Sequence, residues 1–210
     1  MTFKNSNWFK YFSGLYKRNR FILTVAAVIF FLSLFIGILV GYLFPDLILK
    51  IINAYVQSLL SYHLEKTTLS IFTHNLQAIF IEYIGGFIAI IPVIELFSNG
   101  FFIGGFFGYL FNHSYAAAIG PLSAWKFLVY TIPHGIFEIP GFIIAGAAGL
   151  RVTTLVIDLL KNIIYKKHDD VNYWKIKDSL GLLLISVILI LIAAIIEANI
   201  TPILGSILTS

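Results

Sequence analysis

Apolar residues in this chain occur as long runs, with little alternation along most of its length. Five runs are long enough to cross about 30 Å of hydrocarbon at about 1.5 Å per helical residue. They lie at 21–44, about 69–96, about 100–119, about 125–150 and about 180–203. The first follows Lys17, Arg18 and Arg20, is too long for a signal-peptide core and has no small-x-small cleavage site before Pro45, so it reads as an uncleaved signal anchor. The second carries His74, Asn75, Gln77, Glu82 and Glu95, with Pro92 near its end, and the fifth is apolar until Glu197. Between the first two runs, residues 47–64 place Lys50, Asn53, Gln57 and Ser61 at steps of three or four, against Leu47, Ile48, Ile51, Ile52, Leu59 and Leu60. That period predicts an amphipathic helix lying in the interface or over the bundle. The expected fold is all-α: a polytopic membrane helical bundle of about five transmembrane helices plus the amphipathic helix, with residues 1–20 a basic cytoplasmic segment and 21–205 one integral membrane domain.

Composition agrees with the pattern. Of 210 residues, 59% are hydrophobic and only 11% charged, too few charges to cover a water-soluble domain. The net charge of +4 does not indicate a nucleic-acid partner, because the basic residues gather at the ends of apolar runs, where they act as topology signals. Residues 1–20 hold five (Lys4, Lys10, Lys17, Arg18, Arg20) and residues 151–178 hold six (Arg151, Lys161, Lys166, Lys167, Lys175, Lys177), against Lys50, Lys66 and Lys126 elsewhere. The positive-inside rule then puts the N-terminus in the cytoplasm and, after five crossings, the C-terminus outside. The absence of cysteine excludes disulfides and thiolate metal sites.

A carboxylate near the bilayer centre costs about 2.5–3.5 kcal/mol on insertion scales. Glu82, Glu95, Glu138 and Glu197 must therefore face the interior, stay protonated or lie near an interface, and four of them suggest one shared polar site. In the run Pro133-His134-Gly135-Ile136-Phe137-Glu138-Ile139-Pro140, His134 and Glu138 stand one helical turn apart, and the two prolines predict a broken or kinked span. With Glu197 they form an N/O ligand set of the kind zinc accepts, to which His74 could add. A hydrogen-bonded pair that locks two helices fits the same spacing. The two-histidine pattern of zinc peptidases is missing.

Glycine supplies the other signal. Gly100, Gly104 and Gly108 make one helix face bare backbone flanked by phenylalanines, and Gly37 and Gly41 repeat the spacing in the first run. Such faces allow close helix approach, either inside one bundle or across a homodimer.

The order Asn75, Asn99-Gly100-x-x-x-Gly104, Pro133-His134-Gly135-x-x-Glu138-x-Pro140, Ala145-Gly146-Ala147-Ala148-Gly149-Leu150-Arg151 and Ala193-Ala194-x-x-Glu197-x-x-x-Thr201-Pro202 resembles the stage II sporulation protein M (SpoIIM) family. The resemblance covers roughly residues 20–205. It implies a multi-span helical protein with His134, Glu138 and Glu197, and with them Asn75 and Asn99, in a polar centre. It also implies a membrane anchor or scaffold, since family members in spore formers work with the cell-wall hydrolases SpoIID and SpoIIP during engulfment. Three function classes stay open: a scaffold that assembles other membrane proteins through the glycine-rich helices and the segment 46–68, a metal-dependent intramembrane enzyme, and a small transporter or lipid translocase.

Topology reporters fused at residue 165 and at the C-terminus should report cytoplasmic and external locations respectively. Both on one side would overturn the five-crossing reading.

Overall fold

The computed structural model describes residues 7–61, 67–112, 124–165 and 174–208, and among these it is all helix with no strand. The elements are α1 (Asn7–Leu43), α2 (Pro45–Ser61), α3 (Thr68–Ile84), a 3-10 turn (Gly85–Phe87), α4 (Ile90–Phe111), α5 (Ala124–Tyr165), α6 (Trp174–Asn199) and α7 (Thr201–Leu208). Stretches of α1, α4, α5 and α6 are long and apolar enough to cross a membrane. Residues 113–119, the end of the third expected run, and 62–66 of the outer segment lie outside the described residues.

Local sequence sets where helices stop. α1 ends at Leu43 because Phe44 precedes Pro45, whose ring disfavours helical backbone in the residue before it. α2 is the expected amphipathic helix, with Lys50 and Asn53 exposed while Ile48 is buried against α4 beside Tyr109 and Leu110.

Two expectations change. The single run at 69–96 is broken: α3 stops after 17 residues, and residues 90–96 join the following span as the start of α4. Gly85 and Gly86 are poor helix formers, and Pro92 falls in the first turn of α4, where a missing N–H costs nothing. The turn is pinned to α5 by Thr153, whose hydroxyl donates to the Gly86 carbonyl at 2.8 Å. Where a broken or kinked span was expected, α5 shows no break and runs helical through both Pro133 and Pro140. Each proline removes a donor from the ladder without ending the helix.

α1 and α4 form the most extensive helix pair and run parallel, since contacts advance together along both. Gly100 abuts the main chain at Phe30, Gly104 that at Leu34, and Gly108 that at Ile38, while Gly37 and Gly41 abut Phe101 and Gly105. A Cβ at any of these glycines would meet backbone atoms of the partner helix. The 100/104/108 ridge is therefore covered by α1 of the same chain. α5 and α6 pair antiparallel, with Gly141 against Leu189 and Ile190 and the Ser186 hydroxyl donating to the Gly141 carbonyl at 2.8 Å. Phe30, Ala26, Leu96, Ala147, Ala148 and Leu182 fill the centre.

Gly104→Leu should lower thermal stability, in line with the roughly 1–3 kcal/mol typical of overpacking, because the neighbour at Leu34 is backbone and cannot rotate away. Gly135→Ala should be neutral or stabilising, since its added methyl would meet only Thr131 and Ile139 side chains, at 3.8 and 3.9 Å. Equal melting curves for Gly104→Leu and the unaltered protein would refute the α1–α4 contact.

Candidate functional site

Two polar clusters tie the helices at opposite ends of the bundle. The first is where α3, α5, α6 and α7 converge. His134 and Glu138 project from one face of α5, with His134 Nε2 3.5 Å from a Glu138 carboxylate oxygen. Asn75 of α3 donates from Nδ2 to the other Glu138 oxygen at 3.2 Å. Glu197, in the last turn of α6, brings a carboxylate toward both, so that one ligand atom each from His134, Glu138 and Glu197 lies within 4.8 Å of the others. Thr201 opens α7 two residues after α6 ends, is buried, and places its hydroxyl 3.5 Å from His134 Nδ1, at the long limit of a hydrogen bond. Beside it, Asn199 Nδ2 donates to the Thr68 hydroxyl at 3.1 Å, which fastens the end of α6 to the start of α3.

Straight helices measured from residues 150 and 180 would set Glu138 and Glu197 roughly 7 Å apart in depth, yet their side chains reach one another, with ligand atoms within 4.8 Å. The centre is neither sealed nor open: the side chains of His134 and Glu138 are 13% and 22% exposed. Asn99 sits half-buried on α4, in the turn that meets α1, outside the hydrogen bonds of this centre. His74 is half-buried on α3 and is not part of the three-residue group.

The four carboxylates do not share one site. Glu82 is 1% exposed and lies beside Gly146 and Leu96. Gly146 is eight residues from Glu138 along α5, or about 12 Å. A Cβ on Gly146 would strike the Glu82 carboxylate, and one on Gly149 would strike its main-chain carbonyl. Those two glycines explain why this stretch of α5 is made of small residues: they let α3 and its buried acid lie flat on the helix. Neither Glu82 carboxylate oxygen has a hydrogen-bond partner among the described residues.

The second cluster escaped the sequence reading. Asp178, 0% exposed at the start of α6, accepts from Arg18 Nε at 3.0 and 3.1 Å and from Arg18 Nη2 at 2.8 Å, a bidentate pair. Asn19 Nδ2 donates to it at 2.9 Å, and Arg151 Nη2 lies 3.8 Å away. Tyr11 of α1 donates its hydroxyl to the Lys177 carbonyl, and Lys175 pairs with Asp158 of α5. One carboxylate thus joins α1, α5 and α6. The available signal was a lone acid just before one apolar run, matched by Arg18-Asn19 just before another and Arg151 just after a third; counting charge alone hid it among lysines.

Comparison with known proteins places these features in a family. The model for stage II sporulation protein M matches residues 26–202, which include His134, Glu138, Glu197 and Thr201. The uncharacterized protein MJ0793 of Methanocaldococcus jannaschii is 39% identical over 134 residues, covering 63% of this chain and 70% of that protein. A second uncharacterized protein of the same organism, MJ0706, is 38% identical over 78 residues, or 37% of this chain and 36% of its own length. No solved structure matches. With the family match spanning most of its length, the chain belongs to the SpoIIM family of multi-pass membrane proteins.

Proposed function

We propose that this protein is an integral membrane scaffold, a helical body that holds other membrane proteins in a fixed arrangement. The supporting observation is the use made of its polar side chains. At one end Asp178 gathers α1, α5 and α6, and at the other the centre of His134, Glu138, Glu197 and Asn75 gathers α3, α5 and α6, so polar contacts fasten helix to helix at both levels. The exterior is left to large apolar side chains such as Phe31, Phe35, Ile94, Phe97 and Leu184, which suit lipid and the apolar flanks of a neighbouring protein. Because the glycine ridge of α4 is filled from within the chain, partners would dock on these outer faces and on the segment 46–68, or a second copy would do so as a homodimer. The family's assembly role agrees with this reading, and the positive-inside rule orients the Asp178 end toward the cytoplasm.

The centre on this reading is a joint, and joints couple. In a double-mutant cycle on Glu138→Gln and Glu197→Gln, the interaction energy should exceed the roughly 0.3–0.5 kcal/mol expected of independent sites. Strictly additive losses would mean that the two side chains act separately. The scaffold itself is tested in liposomes: the purified protein should give lipid scrambling and proton flux no faster than protein-free vesicles. Flux that appears with the protein and disappears in Glu138→Gln would replace the scaffold with a transporter.

A further inference from the structure

We propose that His134, Glu138 and Glu197 bind a divalent first-row transition-metal ion of the zinc class, with Asn75 and Thr201 as positioning residues. The inference does not depend on the scaffold reading; a metal here could serve a joint or a reaction.

Geometry carries it. Tetrahedral zinc with bonds of about 2.0–2.2 Å holds neighbouring ligand atoms about 3.4 Å apart. His134 Nε2 and the Glu138 oxygen are 3.5 Å apart, beyond the usual hydrogen-bond range of about 2.7–3.2 Å and close to that tetrahedral edge. The third ligand atom, from Glu197, lies within 4.8 Å of the other two, so the set is about an ångström wider than a tetrahedral edge at its widest. Three protein ligands, one nitrogen and two oxygens, leave a further coordination position for water or substrate.

The surroundings supply what ligands of this kind need. Asn75 donates to the Glu138 oxygen that does not face His134, fixing which oxygen turns inward. Thr201 lies 3.5 Å from His134 Nδ1, which leaves Nε2, the ring nitrogen facing Glu138, for the metal. Electrostatics points the same way: two carboxylates this close repel, and a divalent ion between them would offset that repulsion. His134 and Glu138 are partly exposed, so the ligand set is not sealed inside the bundle. The absence of cysteine and the mixed N/O set favour zinc, manganese or iron over soft-metal ions.

The test uses the full-length protein in detergent, stripped of metal by a chelator and titrated with Co2+ alone, read by visible absorption, and then with Zn2+ as competitor. One equivalent of Co2+ should develop ligand-field bands that one equivalent of Zn2+ removes. His134→Ala, Glu138→Gln and Glu197→Gln should each weaken binding by about 100-fold or more, and Asn75→Ala by about tenfold. His74→Ala should leave the affinity unchanged. Metal-free melting curves of the near-isosteric Gln variants separate loss of a ligand from loss of the fold. Absence of stoichiometric binding, or binding that survives both His134→Ala and Glu197→Gln, overturns the site.

Discussion

A polar group in hydrocarbon has no water to fall back on, so leaving one there without a partner is costly, and apart from Glu82 the buried acids of this bundle are held to partners within the protein. That constraint organises this bundle. Asp178 would be untenable alone, and Arg18, Asn19 and Arg151 converge on it from two other helices. Glu138 and Glu197 would be untenable side by side, and His134 and Asn75 stand between or beside them. Because each cluster draws on helices far apart in sequence, satisfying the polar groups also fixes which helices are neighbours and at what register.

Between the two levels, packing rests on small residues. Burial of apolar surface gives little drive for helices to associate in lipid, since lipid is as apolar as leucine, and close approach of backbones has to supply the difference. The α1–α4 pair does this with Gly37, Gly41, Gly100, Gly104 and Gly108, interleaved so that each glycine faces main chain. α5 does it with Ala145, Gly146, Ala147, Ala148 and Gly149, all buried. One stretch of seven residues thereby performs two tasks, receiving Glu82 and its turn on the small residues and reaching Asp178 with Arg151 at the end.

Hydropathy made the helical membrane class legible because transfer energy depends on summed side chains, which a linear sequence displays. It did not reveal that residues 69–96 turn back, since Gly85 and Gly86 are as apolar as their neighbours and differ only in what the backbone can do. Nor did it reveal that α5 continues through two prolines. His134, Glu138 and Glu197 stood out as costly residues in apolar runs, so their type pointed to them before any geometry. Asp178 did not, because beside lysines at a membrane edge an aspartate is ordinary; only its depth and its three partners make it structural. Grouping all four glutamates failed for the same reason: sequence gives cost, and position along the bundle decides company.

At 42 residues α5 is about 63 Å long, close to twice the thickness of a bilayer's hydrocarbon core. Since Arg151 marks the level of the Asp178 cluster, the last fourteen residues, through Tyr165, project some 21 Å beyond it as an unbroken rod. A rod turns small rotations into displacement: a tilt of about ten degrees at the cluster would carry its tip nearly 4 Å sideways over that length. A change of helix tilt at the cluster would therefore be larger at the Tyr165 end of α5 than at the cluster itself.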